Sequence, residues 1–391
     1  MLIEIHMLQN HSPSNLNRDD TGSPKECVFG GVRRARISSQ CLKRSIRRSD
    51  IFQSAMAGHL AHRTRRLPQL VRERLLASGI AEDLADIAAK KASGFGNKEG
   101  KEQAEAKTAQ TMFLTEADVA AVTEVLRAAA LEARTAAKFA KVPAKDLQAK
   151  AQEQGFRPIT VDIALFGRMI TSEAFRNVEA AAQVAHSIST HKVDHEFDYF
   201  TAVDDLKTPV EAEEEGDAGA DMLGDVEFNS ACYYKYFSID VDGLVDNLTG
   251  RGAGRKDIPE SEQAEARSLA ASTVDAFLRA AATVTPTGKQ NTFAAHQLPA
   301  AVLVEARPAC TPVSYANAFV EPARPGRDGD LVSASFHSFA KHVEALTTGF
   351  NLEATARLLL APEHDLSIAG VERVADLKQL CEKLREVMAS G

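Results

Sequence analysis

Residues from about His59 to Glu153 form a run dominated by Ala, Leu, Lys, Arg and Glu that is broken only by SGFGNKEG and reads as helical throughout. This run stands between two stretches that read as strands. The first, LIEIHML, alternates Ile3, Ile5 and Met7 with Glu4, His6 and Leu8, the pattern of a strand half buried in a sheet. The second begins with ITVDIALFGRM. Strands interrupted by a helical insertion give an α+β fold. Further on, VEAAAQVAHSIST reads as a short helix, and Val226 to Val241 as a long aromatic-rich strand at the centre of the sheet. SEQAEARSLAASTVDAFLRAAAT reads as an amphipathic helix, AAVLVEA as a strand and VADLKQLCEKLREVMAS as a closing helix.

Between Asp194 and Glu227 there are thirteen carboxylates and one lysine. The centre of this segment, Lys207 to Asp225, is acidic and contains glycine between two strand-like arms. It reads as a long hairpin with a mobile tip. The chain of 391 residues exceeds one ordinary domain, so two domains or one heavily inserted domain are expected. Its five cysteines are odd in number, scattered and free of any C-x-x-C pair, which argues against a disulfide framework and a zinc finger. The opening MLIEIHMLQNHSPSN has no basic region leading into an apolar run, and no segment approaches the length needed to span a bilayer. A soluble protein of the cytoplasm, with no membrane partner, is expected.

Against a formal net charge of -8, Asn15 to Ser49 holds nine lysines and arginines and three carboxylates. Within it, Arg33 to Arg48 has seven basic residues and no acidic one, a set that repels itself unless an anion is held there. Wound as a helix, QCLKRSIRR places Cys41, Leu42, Ser45 and Ile46 on one side and Gln40, Lys43, Arg44, Arg47 and Arg48 on the other. Ser38 or Ser39 is a good N-cap, so the positive end of the helix dipole lies beside Gln40 and Lys43. A solvated helix face is the plain alternative. The absence of interspersed acid favours a nucleic acid or nucleotide.

Other chemistry is weaker. GNKEGKE has one residue too few between its glycines for a phosphate loop, and Glu102 stands where a magnesium ligand belongs. His186, His191 and His195 are spaced by five and nine, which does not align them on a helix face for a metal. Asp19 and Asp20 are candidates for a divalent metal in phosphodiester cleavage, although paired carboxylates in an Asn/Asp loop are usually turn formers. LIEIHML has no aromatic residue, so the base-stacking strands of an ordinary RNA-recognition domain are not expected to be the instrument.

The segments SPSNLNRDD, FGGVRRARISSQCLKR, VDIALFGRM, AHSISTHKVDHEFDYFTAVDDL, GKQNTFAA and YANAF occur in an order that resembles the CasC family, the backbone subunit of the type I-E CRISPR Cascade, in the RAMP superfamily. The resemblance implies a modified RNA-recognition-motif (ferredoxin-like) palm with a helical fingers insertion and a β-hairpin thumb. On this chain the palm would take residues 1–58, 158–193 and 228–391, the fingers 59–157 and the thumb 194–227. It further implies a subunit that is not an enzyme and carries no cofactor. Such a subunit polymerises along CRISPR RNA, kinks it at regular intervals, presents it for pairing with target DNA, and contacts further copies of itself and other Cascade subunits. The family's RNA-contacting positions fall on Arg18, Lys25, Ser38, Gln40, Lys43 and Arg47. Arg44 joins them from the basic face, Met169 is the apolar wedge, and Thr201 and Leu223 cover a displaced nucleotide. A metal-dependent RNase of the same superfamily, using Asp19 or Asp20, is the alternative.

Overall fold

The structure, a computed structural model, describes residues 1–155, 157–202, 222–326, 329–363 and 366–390. The chain divides into two compact units, one of residues 1–51, 184–238 and 277–391 and the other of residues 52–183 and 239–276. The 59–157 segment lies within the second unit, together with 158–183.

Among the described residues twelve strands occur in chain order: β1 (Leu2–Ser14), β2 (Glu26–Phe29), β3 (Val32–Ile37), β4 (His62–Thr64), β5 (Met112–Leu114), β6 (Ala182–Val184), β7 (Ser187–Ser189), β8 (Glu196–Ala202), β9 (Met222–Asp240), β10 (Ala301–Arg307), β11 (Ala356–Leu360) and β12 (Glu372–Val374). The sheet of the first unit runs β12-β11-β10-β1-β9-β7-β3-β2, so β1 and β9 sit at its middle. With β8 folded antiparallel onto β9, from Glu196↔Phe228 to Ala202↔Met222, the arms of the acidic hairpin form as expected. Its tip, residues 203–221, lies outside the described residues. The class is α+β, a modified RNA-recognition-like palm with a helical insertion and a hairpin.

Strand β1 is not half buried. Its apolar and polar faces are both closed, and the polar face carries a network of paired charges. Tyr236 donates its hydroxyl hydrogen to Glu4 at 2.5 Å, and Glu4 and Glu305 both meet Arg307, at 2.5 and 2.9 Å. His6 Nδ1 lies 2.9 Å from the Tyr234 hydroxyl. Burial alone would raise the Glu305 carboxyl, yet His6, Arg307 and Arg357 hold it well below the usual carboxylate range. Outside this network Tyr234 and Tyr236 join Leu8, Leu303, Phe319, Phe336 and Phe339 in a core against helix Leu331–Gly349. The sheet aromatics Tyr233, Tyr234, Tyr236 and Phe237 are all buried, so none is available for stacking a base.

Two segments take the opposite structure from the one expected. VDIALF is a helix, Val161–Phe166, whose Asp162 carboxylate accepts from the Ala61 N–H and the Thr160 hydroxyl. The expected helix VEAAAQVAHSIST supplies β6 and β7 instead, with Ile188 paired to both Arg36 and Tyr234. The Asn/Asp loop that carries Asp19 and Asp20 lies between the end of β1 at Ser14 and the start of β2 at Glu26.

The second unit is mainly helical. Helices Leu67–Ala77, Glu82–Gly94, Glu116–Ala133 and Ala144–Glu153 close on a core that includes Val71, Leu75, Ala88, Phe95, Leu126 and Leu147, beside the small β4–β5 sheet. Among the described residues no helix is long and apolar enough to cross a membrane.

Candidate nucleic-acid interface

The basic helix forms where the sequence places it, at Ser39–Arg48. Ser38 is the N-cap: its backbone is extended, and its hydroxyl accepts from the Cys41 N–H at 3.3 Å. No carboxylate occupies the first turn, so the positive dipole end keeps its field. Leu42 and Ile46 are buried and fix the helix to the first unit. Gln40, Arg44 and Arg48 are exposed, while Lys43 and Arg47, one turn apart, are half-buried. Burial holds the Lys43 amine below its ordinary value.

The loop before this helix is built on side chains that cap backbone groups. Asn17 Oδ1 accepts from the Ser38 N–H and the Asn17 carbonyl from the Lys25 N–H, both at 2.8 Å. The Asp19 carboxylate accepts from the Thr21 hydroxyl at 2.8 Å and from the N–H groups of Thr21 and Ser23 at 2.9 and 3.0 Å. These bonds, that of the Thr21 hydroxyl first, pull the Asp19 carboxyl below its usual range. Asp19 is thus a turn former. Facing this loop, Gly288 approaches so closely that a Cβ there would stand 2.4 Å from the Leu16 carbonyl oxygen.

An open groove of about 520 Å³ results, with Arg18, Asp19 and Asp20 on the loop side, Cys41, Arg44 and Ser45 on the helix side and Thr287–Gly288 closing the end. The basic face therefore splits. Arg44 looks into the groove with Cys41 and Ser45, which were expected on the packed side, whereas Gln40, Lys43 and Arg47 form the neighbouring ridge. Lys25 is held by its backbone to Asn17, whose side chain accepts from the Ser38 N–H, and to Arg36 on β3, whose N–H donates to the Lys25 carbonyl at 2.8 Å.

Not every cation of Arg33 to Arg48 is available for an anion. Arg34 is fully buried and donates to the carbonyls of Phe29 and Ser189 at 3.2 Å and of Phe319 at 2.6 Å. It pins the β2–β3 turn, where Gly30 has φ 61° and a Cβ would meet the Val320 carbonyl oxygen at 1.9 Å. Arg33 pairs with Glu26 at 3.2 Å, and Arg36 donates to the Glu26 carbonyl at 3.1 Å.

Met169 belongs to the second unit and is 91% exposed. It stands on a fixed pedestal. Arg168 beside it is buried and held by Asp118 at 2.5 Å and by the Arg176 carbonyl at 2.9 Å, while the Ile170 N–H donates to Asn177 Oδ1 at 2.7 Å. Thr201 is exposed near the end of β8, in register with Leu223. The Leu223 side chain lies outside what is described. Sequence reasoning missed Phe197 and Tyr199, which are 61% and 76% exposed and share a strand face with Thr201. The alternation F-D-Y-F-T carried that signal.

Among the described residues, Glu4, His6 and Glu305 are the one set of three ligating side chains close enough to share a metal, and Arg307 already neutralises two of them. Neither Asp19 nor Asp20 belongs to such a set.

A search of curated proteins finds no match. Among solved structures, a chain titled "CRISPR RNA-guided surveillance complex, pre-nicking" is 29% identical, with a TM-score of 0.78, over 99% of this chain and 100% of that one. A second, titled "CRISPR RNA-guided surveillance complex", is 24% identical with a TM-score of 0.69 over the whole of both chains and shows the shared fold. The family model described as "CT1975-like protein" matches residues 3–386, and the chain therefore belongs to the CT1975-like protein family.

Proposed function

We propose that this chain is a subunit of a CRISPR RNA-guided surveillance complex in the cytoplasm, and that it holds the guide RNA without reading its sequence. The observation that carries this reading is the capped basic helix beside the Arg18–Arg44 groove. A guide must be gripped whatever its bases are, so the grip has to fall on phosphate and sugar. Backbone N–H groups at a helix N-terminus, with Lys25 and Lys43 beside them and Arg44 and Arg47 further along the helix, suit that task. Met169 is the apolar wedge against bases and Thr201 with Leu223 the cover for a displaced nucleotide, so that the strand is kinked and its remaining bases are presented to target DNA. Further copies bind head to tail along the RNA, the acidic hairpin of one meeting the basic surface of the next. The subunit carries no catalytic step, in keeping with the commitment of Asp19 Oδ1 to its own turn.

The test is the salt dependence of RNA binding in Lys43→Gln plus Arg47→Gln. Each phosphate contact removed lowers the slope of log K against log salt by roughly 0.7, so the double variant should lose about 1.4, equally for unrelated guide sequences. An unchanged slope removes the helix from the interface. Magnesium-dependent cutting of complementary RNA that Asp19→Ala abolishes would move the RNase to first place.

A further inference from the structure

At the root of the hairpin, His195 lies between two carboxylates. Its Nδ1 contacts Glu227 on β9, and its Nε2 is 3.3 Å from a carboxylate oxygen of Glu26 on β2. The ring is 11% exposed and Glu227 18%, so water replaces these contacts poorly. Glu26 is also 3.2 Å from Arg33. The Nδ1 contact is a hydrogen bond, whereas Nε2 faces Glu26 at ion-pair distance without a hydrogen-bond partner. With both nitrogens protonated the group of Glu26, Glu227, His195 and Arg33 is electrically balanced. With one proton fewer, a partly buried carboxylate is left uncompensated.

A second tie reaches the same place from the other side. The Asn15 side-chain amide donates to the Glu227 carbonyl and to the Gly22 carbonyl, both at 2.9 Å. Glu227 is thus held through its backbone to the Arg18 loop and through its carboxylate to β2, the strand that turns into β3 and the basic helix. The Asp194 carboxylate nearby is paired with Lys192 at 3.1 Å. Phe228 packs on Phe293 at 5.5 Å between ring centres and steadies the following residue.

We propose that His195 is a positioning residue, a bridge between Glu227 and Glu26 that sets where the hairpin leaves the sheet and couples its direction to the groove-forming loop and the basic helix. The bridge concerns the free chain and does not depend on what the hairpin contacts, so it stands or falls separately from the proposed function.

Nitrogen NMR of the RNA-free full chain reads the ring directly. The His195 Nδ1 shift should report its bond to Glu227 and move in Glu227→Gln, and an Nδ1 shift that Glu227→Gln leaves unchanged overturns the bridge. Hydrogen exchange supplies the second readout. His195→Gln should speed exchange of the β8 amides, residues 196–202, by roughly tenfold while the exchange of β1 and β10 stays as in the wild type. Glu26→Gln with Glu227→Gln should do the same, and adding His195→Gln to that pair should bring no further change. His195→Lys, which carries a charge, should recover part of the protection. Equal β8 exchange in His195→Gln and wild type, or additive effects of the variants, would show the histidine to be a bystander.

Discussion

His11 shows how one side chain ties the stability of the first unit to pH. It is buried on β1, with Nδ1 3.3 Å from Gln297 Oε1 and its ring edge-on to Tyr233. Burial, aided by the charge of Lys235, lowers its pKa from 6.5 to about 4 against the opposing hydrogen bond of Gln297. The folded chain therefore binds this proton less readily than the unfolded chain. Its stabilising share is complete above pH 6.5 and falls as pH drops from there through about 4, by up to about 3 kcal/mol. We expect the melting temperature to fall over that window in the wild type and to fall less in His11→Gln, measured by thermal melts at several pH values. Parallel curves would mean that His11 is not the group responsible. The charge count of Arg33 to Arg48 was legible in the sequence, but the division of labour within it was not. Arg34 reads as one more cation and is in fact the pin of a glycine turn, because its carbonyl acceptors at Ser189 and Phe319 are remote in the chain.

The basic helix is the element that local sequence describes best, since its cap, apolar stripe and length all follow from a ten-residue window. Ser38→Ala should cost about 1 kcal/mol in urea unfolding, the usual value of an N-cap. Ser38→Asp separates folding from binding. It restores the cap and so the stability, but adds a negative charge where phosphates are expected, and RNA affinity should drop below that of Ser38→Ala. If Ser38→Asp binds RNA as well as wild type, the N-terminus of this helix does not face the strand. The long strand β9 and the closing helix Leu377–Ser390 were legible too, being long and regular, whereas β1 was read only over Leu2–Leu8 and as half buried. The two misread segments are short. VDIAL is an apolar run that suits either structure, and the Asp162 contact to the distant Ala61 decides it. The alanines of VEAAAQVAHS favour a helix locally, and pairing of Ile188 with β3 and β9 overrides them. Met169 could be placed by family pattern but not by local physics, since its pedestal needs Arg168, Asp118 and Asn177 to meet.

At the scale of the whole molecule the charges are sorted: cations gather around the helix of the first unit, and carboxylates on the hairpin, where Asp225 pairs across the strands with Tyr199 within a run whose excess of carboxylates outweighs the net charge of -8 of the whole chain. Under the head-to-tail assembly proposed above, charge sorted in this way would favour the one orientation that brings the hairpin of one copy to the basic surface of the next. The hairpin also exposes Phe197 and Tyr199 side by side, and large aromatics left bare on a monomer usually mark a contact surface. Replacing both with serine removes little that the free chain uses, because neither ring is buried in it, so the melting temperature of the RNA-free chain should stay within about 1–2 °C of the wild type. The loss should appear only when copies assemble. On a guide of defined length, the double variant is expected to form shorter or irregular arrays at the concentration where wild type covers the RNA, measured by sedimentation and electron microscopy. Single-copy binding to a short RNA should hardly change if the rings meet a neighbouring chain, and should weaken with array length if they stack on the RNA itself. Full, regular arrays from the double variant would show that the exposed rings take no part in assembly and leave charge alone to direct it.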